Sequence, residues 1–400
     1  MNSKILCRKC PICDCVSGDV LHTQRFFLSE GHPLPSSYDV VACDECGFCF
    51  ADTAEPQAVY DVYYADMSKY ADTATSTGAG LSTWDAERME HLAQQIASYA
   101  ANASSRILDI GCANGGLIAA LQHRGYDNVC GIDPAPSCVE QARRVATADV
   151  WTGTFSALPA GIGKFDGVIL SHVMEHVREL RPAIDRVREM LNPDGWIYVE
   201  VPDAVRYVAF LVAPFQDFNT EHINHFSTIS LANLCRRTGF LPTSGGIKEI
   251  FSAKGMPYPS AFWFARKTEG AQRIEKDELL RPALYGYIGA SRDMMARIDT
   301  AIRRSLDANP DLIVWGTGQL TMKLLADTCL RKANILAFVD GNPVNHGRTI
   351  LGRNVVGGRD LTSSTTPILI CSLINSAAII ASIQSHGLTN PIITLSEVAL

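Results

Sequence analysis

A chain of 400 residues, 47% hydrophobic and 19% charged, has the length for about two or three domains with sizeable cores. Its formal net charge of −7, with no basic run or basic helix face, argues against a nucleic-acid partner. No stretch of about 18 consecutive apolar residues occurs and MNSKILCRKC lacks the apolar core of a secretion signal, so a soluble, cytoplasmic chain without a membrane partner is expected.

The 13 cysteines cluster toward the N-terminus of a long chain without a secretion signal, which favours metal over disulfides. Cys7, Cys10, Cys13 and Cys15 are followed after a loop by Cys43, Cys46 and Cys49. Two C-x-x-C pairs on separate turns can aim four thiolates at the corners of a tetrahedron, and Cys10, Cys13, Cys43 and Cys46 are the chosen Zn²⁺ ligands. Cys7–Cys10 is a second such pair and Cys49 an alternative at the other side, so the register stays open. Four thiolates leave no open position, which makes the ion structural.

Residues 60–84 begin YDVYYADMSKYADTATSTGAG, neither a regular amphipathic helix nor a clean strand. They read as a loop, either a lid whose phenols reach a ligand or a linker whose tyrosines pack on the next domain. Ser82-x-x-Asp85 then forms a capping box, and Met89, Leu92, Ile96 and Tyr99 follow at helical spacing.

RILDIGCANGG, from Arg106 to Gly116, reads as a buried strand ending in Asp109, a glycine turn and a helix start. Gly111 and Gly115 supply conformations that a Cβ resists, and the helix start presents unpaired N–H groups. NVCGIDP is a second strand ending in Asp133, an acid placed to accept hydrogen bonds from both hydroxyls of a ribose. A dinucleotide fingerprint is the rival, but Ala113 stands where a second glycine would approach the pyrophosphate. The D-x-G-x-x-x-G pattern resembles motif I of class I S-adenosylmethionine (SAM) methyltransferases.

Strands and helices alternate from Arg106 to about Lys267, which predicts a mainly parallel, doubly wound sheet. VWTGTF is its third strand and Phe165–Leu170 its fourth, with Ser171, His172, Glu175 and His176 beyond the carboxyl end, where such sheets gather ligands. LNPDGWIYVEVPD carries the fifth strand. In the following segment, DFNTEHINHF, His222 beside Glu221 is the first choice for a general base, while His225 beside Phe226 reads as packing. Residues 270–308 read as helical, broken near Pro282 and by Gly286 and Gly289. LIVWGTGQLTMKLLA and ILAFVDGNP open a second Rossmann-like unit, in which Thr321 replaces the last glycine of a nicotinamide fingerprint and Asp340 serves a turn equally well. The expected divisions are a zinc-binding and lid segment over 1–80, a SAM-binding domain over 81–268, a helical bridge over 269–309 and a C-terminal domain over 310–400.

CPIC with CDECG, the tyrosine-rich stretch, LDIGCANGG with GIDP, SHVMEHV and EHINHF occur in this order, and over nearly the whole chain they resemble the nucleotide-sugar C-methyltransferases. The resemblance implies an α/β protein whose class I SAM methyltransferase sheet, Rossmann-like and doubly wound, lies between an N-terminal zinc-binding module and a C-terminal Rossmann-like domain. It implies SAM and structural Zn²⁺ as cofactors, and a dTDP- or GDP-linked 4-keto-6-deoxy sugar as substrate, methylated at C3. The C4 carbonyl acidifies the C3 hydrogen, His222 removes it, and the enolate carbon attacks the methyl group. Glu221 is then the electrostatic partner of His222, His176 a polar group near the ketone, and Tyr70 a phenol donor; no catalytic metal is required. Cofactor contacts fall to Asp109, Gly111, Ala113, Gly115, Asp133, Pro134, Phe155 and Ser171, and a monomer is expected. The family has Tyr two positions before its Glu-His pair, whereas Asn219 stands here. The rival readings are an O- or N-methyltransferase of a small molecule, and a noncatalytic SAM-binding scaffold.

Overall fold

In the computed structural model, residues 3–66, 82–100, 102–155, 157–159, 161–251, 256–270 and 272–396 are described. The first elements are β1 (Ser3–Ile5), β2 (Ser17–Arg25), β3 (Ser37–Cys43), β4 (Cys49–Asp52), α1 (Gln57–Asp66) and α2 (Thr83–Tyr99). The central run is β5 (Ile107–Ile110), α3 (Gly116–His123), β6 (Val129–Asp133), α4 (Pro136–Val145), β7 (Val150–Thr152), β8 (Phe165–Ser171), α5 (Leu180–Met190) and β9 (Leu191–Pro202). Next come β10 (Asn224–His225), α6 (Thr228–Arg237), β11 (Phe240–Phe251), β12 (Pro257–Lys267) and α7 (Leu280–Ala308). The last are β13 (Asp311–Trp315), α8 (Gln319–Asp327), β14 (Asn334–Val339), β15 (Thr349–Ile350), β16 (Arg353–Val356), β17 (Ile368–Ile370), α9 (Ser376–Ser385) and β18 (Ile392–Thr394). Two compact units divide the chain, one of Met1–Leu21, Val40–Phe210 and Glu221–Ala283, the other of His22–Asp39, Leu211–Thr220 and Leu284–Leu400.

The first unit contains a seven-stranded sheet of order β11-β12-β9-β8-β5-β6-β7. Strands β9 to β7 run parallel, while β12 is antiparallel to β9 and β11 to β12. The parallel strands are apolar on both faces because helices cover both, as the fully buried ILDI and VCGID of β5 and β6 show. Strand order reverses between β5 and β8, so the crevice for a ligand opens beyond their carboxyl ends. Met89, Leu92, Ala93 and Ile96 turn one face of α2 into the core under that sheet, and Ser82 caps the helix by accepting from the Asp85 N–H. A second sheet, β1-β2-β3-β4-β10, joins the N-terminal strands to a far-downstream segment, with Asn224 opposite Phe50 and His225 opposite Cys49.

Three elements differ from the expectation. Residues 57–66 form α1 rather than a loop, because Tyr60, Tyr63 and Tyr64 recur at i, i+3 and i+4 and the first two are buried. The third strand ends at Thr152, leaving Gly153, Thr154 and Phe155 in the loop beyond it. Helix α7 runs unbroken over 29 residues. Pro282 sits in its first turn, where the N–H it lacks has no helical partner, and a Cβ at Gly286 or Gly289 would meet only open space.

The second unit contains a six-stranded sheet of order β15-β16-β14-β13-β17-β18, parallel except for β15, with the Rossmann-like alternation read from the sequence. Asp340 there accepts from the Thr317 N–H at 2.8 Å and the Thr317 hydroxyl at 2.5 Å, closing the turn after β13. Among the described residues no helix is long and apolar enough to cross a membrane.

Candidate active site

The glycine turn after β5 folds as it does because three successive constraints meet there. Gly111 and Gly115 have φ of +77° and +83°, in the left-handed region, and Ala113 joins them at +44°. A Cβ on Gly111 would lie 2.7 Å from Val173 Cγ2, and one on Gly115 2.9 Å from the Ala142 Cα, so turn, β8 loop and α4 approach closely only without side chains. The Gly111 and Cys112 N–H groups donate to the Ile132 carbonyl, tying the turn to β6. Asp133 accepts from the Ala113 N–H and from the Ala135 N–H, each at 2.9 Å, which holds its carboxylate at the tip of β6.

Around this turn lies a cavity walled by Asp109, Gly111, Ala113, Asp133, Pro134, Phe155 and Ser171, seven of the eight residues expected to touch a cofactor. Gly115, the eighth, is the N-cap of α3. Helices α1 and α2 close the other wall with Asp61, Tyr64, Arg88, Met89 and Leu92. Burial, and then the neighbouring Asp133 charge, push the Asp109 carboxyl up to about 7. Burial also pushes Asp133 up to about 6, against the pull of its two backbone donors.

A band of buried charge runs behind the carboxyl end of β8. Lys248 Nζ lies 3.1 Å from Glu200 Oε1, His172 Nε2 lies 3.8 Å from the same oxygen, and His172 Nδ1 lies 3.2 Å from Glu175 Oε1. Tyr198 and Ser260 donate to Glu200 at 2.7 and 2.9 Å. Burial disfavours the charged form of both groups, yet the two carboxylates push His172 up to about 9, and Lys248 and His172 hold Glu200 below the usual range. His172 also carries φ of +55°, an uncommon backbone for a side chain with Cβ.

The sequence-derived histidines gather beside this band. The Ile223 and Asn224 N–H groups both donate to the Glu175 carbonyl, at 2.9 and 3.1 Å, so the EHINH segment is fastened to the loop after β8. The rings of His176 and His222 meet edge-on with centroids 4.9 Å apart, and His176 Nδ1 lies 2.7 Å from the Tyr64 hydroxyl and 3.0 Å from the Glu221 carbonyl oxygen. Glu221 receives the Tyr63 hydroxyl at 3.1 Å on Oε1. The carboxylate grouped with the two rings is instead Glu175, whose donor atoms and theirs lie within 4.8 Å of one another. Sequence reading of the Glu221–His222 pair did not single out Glu175 as a neighbour of the two rings. His225 is fully buried, edge-on to Tyr207, and burial drives it down to about 3. Tyr70 lies outside the described residues. Tyr63, Tyr64 and Arg88 were missed; the i, i+3, i+4 tyrosines of α1 were the signal that could have found the first two.

At the N-terminus the Sγ atoms of Cys10, Cys13, Cys43 and Cys46 all lie within 4.8 Å, with Cys10–Cys46 at 3.5 Å and Cys13–Cys43 at 3.4 Å. Sulfurs at about 2.3 Å from a tetrahedral zinc ion stand about 3.8 Å apart, so the donor set fits that ion. Cys7 is exposed, and Cys49 Sγ points 3.6 Å from the Gly47 carbonyl.

A parallel five-strand core of order 3-2-1-4-5, continued by an antiparallel pair and carrying an acid at the tip of its second strand, is the class I SAM methyltransferase fold. Residues 83–244 match the family model described as a methyltransferase domain. The chain is similar to the ubiquinone biosynthesis O-methyltransferase of Azorhizobium caulinodans, 38% identical over 99 residues that cover 24% of this chain and 39% of that protein. It is similar also to the enzyme of that name from Neisseria meningitidis serogroup C, 27% identical over 168 residues covering 38% of this chain and 67% of that one. Among solved structures, Burkholderia thailandensis 1,6-didemethyltoxoflavin-N1-methyltransferase is 20% identical, with a TM-score of 0.39 over 56% of this chain and 98% of that one.

Proposed function

We propose that this protein transfers a methyl group from SAM to a small molecule whose acceptor atom is first deprotonated by a histidine. SAM supplies an electrophilic methyl group on a cationic sulfur. Asp133 accepts from the ribose hydroxyls, and Asp109 with the Gly111–Gly115 turn frames the rest of the donor, assisted by Pro134, Phe155 and Ser171. The observation that carries the reading is one cavity with an acid-tipped second strand on one side and His176 on the other, with His222 edge-on to it. His222 acts as the base, while His176, oriented through Nδ1 by Tyr64 and the Glu221 carbonyl, holds the acceptor oxygen. Zn²⁺ on Cys10, Cys13, Cys43 and Cys46 stabilises the N-terminal strands without entering the reaction.

Two acceptors suit this chemistry. The curated relatives favour an oxygen acceptor, a hydroxyl of a small molecule. Their similarity is confined to part of the chain, and the Cys cluster, EHINH and the second Rossmann-like unit favour the alternative, C3 of a nucleotide-linked 4-keto-6-deoxy sugar. Incubation with a keto-sugar nucleotide in D₂O without SAM decides between them: exchange at C3 supports carbon methylation, and its absence alongside a one-methyl mass gain on a hydroxylated acceptor supports oxygen. Binding of SAM with no methyl gain on either acceptor class would overturn both in favour of a scaffold.

A further inference from the structure

The segment that carries His222 is held from two sides. Asn224–His225 is β10 of the N-terminal sheet, antiparallel to β4, and the Ile223 carbonyl accepts from the Ala51 N–H at 2.9 Å. On the other side the Asn224 amide donates to the Met174 and Val177 carbonyls at 2.8 and 2.7 Å, which flank His176 in the loop after β8. The two histidine rings therefore meet where the N-terminal strands join the methyltransferase sheet.

One side chain spans that joint. Arg8 lies two residues before Cys10, and its backbone N–H donates to Asp52 Oδ1 at 2.8 Å, which ties it to the end of β4. It is 3% exposed, and its guanidinium carbon lies over the Phe50 ring, 5.4 Å from the centroid. Nη2 donates to the Arg178 carbonyl and, at 3.0 Å, to Asn224 Oδ1, while Nη1 lies 3.5 Å from the Ile223 carbonyl oxygen. Ile223 follows His222 directly, and Arg178 stands two residues after His176. All three acceptors are uncharged, and Asp52 Oδ2 is paired with Lys4 Nζ at 2.9 Å. A buried cation without a carboxylate on its head costs stability, so packing alone would favour an apolar side chain here. A planar fork of five donors is what can hold acceptors from two separate segments at once.

We infer that Arg8 is a positioning residue that fixes the His176 loop and the His222 segment to one point of the zinc-binding module, so that this module sets how the two rings meet. The inference rests on the proposed roles of His176 and His222 and adds the residue that places them. Zinc on Cys10 then bears on the site through the chain position of Arg8, with the ion itself outside the reaction.

Nuclear magnetic resonance of the full zinc-loaded chain, labelled in its histidines, tests the assignment without an acceptor. In the wild type the His176 and His222 rings, with centroids 4.9 Å apart, should show a mutual nuclear Overhauser contact. Arg8→Gln should lose that contact while zinc content is unchanged and S-adenosylhomocysteine affinity stays within about twofold, because the donor contacts lie on other elements. Arg8→Lys, which keeps the charge but not the fork, should restore the contact only in part. An intact ring contact in Arg8→Gln would overturn the inference, as would its full recovery in Arg8→Lys. A parallel fall in zinc content or S-adenosylhomocysteine affinity would mean a general loosening and overturn it too. Should Arg8→Gln fail to fold, arginine-labelled wild type carries the test: Arg8 should give separate Nη signals, since bonds to fixed acceptors hinder rotation of the guanidinium, and a single averaged signal overturns the clamp. Wild-type protein that shows the ring contact but binds no S-adenosylhomocysteine would refute the proposed function and leave the positioning by Arg8 standing.

Discussion

Acidification should weaken donor binding through two carboxyls that the fold has pushed up. In the proposed donor-binding role Asp133 has to be ionised to accept both ribose hydroxyls while it keeps the Ala113 and Ala135 N–H groups, and burial raises it to about 6. If it alone must lose a proton, affinity for S-adenosylhomocysteine at pH 5 should be about tenfold below that at pH 8, or about 1.4 kcal/mol. If Asp109, raised to about 7, must ionise too, the loss grows to about three orders of magnitude. The ligand-free fold should respond oppositely. Both acids bind protons more tightly folded than unfolded, so from their ordinary value of 3.8 up to about 6 and 7 the native state holds more protons and stability declines as pH rises. Calorimetry at pH 5, 6, 7 and 8, repeated in buffers of different ionisation enthalpy, reads both the affinity and the proton released on binding. Asp133→Asn should flatten the lower part of the curve and lose about 1.5–3 kcal/mol of binding at pH 8, because the amide accepts on one side only. Affinity independent of pH between 5 and 8, with no proton released, would refute the reasoning.

One Zn²⁺ per chain is expected by elemental analysis, and Cys43→Ser should lower it and destabilise the N-terminal strands, since the site forms only on folding; full zinc in the mutant would refute the ligand set. His222→Gln should keep S-adenosylhomocysteine binding yet lower methyl transfer by about 10²–10⁴-fold, with acceptor proton exchange lost in parallel; wild-type exchange in the mutant would move the base elsewhere. Gly115→Ala adds a Cβ at φ of +83° and 2.9 Å from the Ala142 backbone, so chemical denaturation should show a loss of about 1–3 kcal/mol; wild-type stability would show that α4 can yield.

The sequence by itself determined what depends on local pattern. The apolar run into Asp109, the glycines at 111 and 115 and the acid at Asp133 specify strand, left-handed turn and second strand tip, because backbone conformation and continuous burial on both faces leave few other solutions. The spacing of Cys10, Cys13, Cys43 and Cys46 likewise carried the convergence of four sulfurs, since each C-x-x-C pair closes its own turn. Only tertiary structure decided which acid meets which histidine. Two backbone donors, Ile223 and Asn224, seat the EHINH segment on the Glu175 carbonyl and bring Glu175 to the His176 and His222 rings. It also decided that Tyr64 reaches His176 and that Arg88 faces the cavity, for these residues lie on helices before the sheet begins. Neighbours 112 residues apart, as Tyr64 and His176 are, are chosen by how helices cover a sheet edge and leave no trace in local spacing.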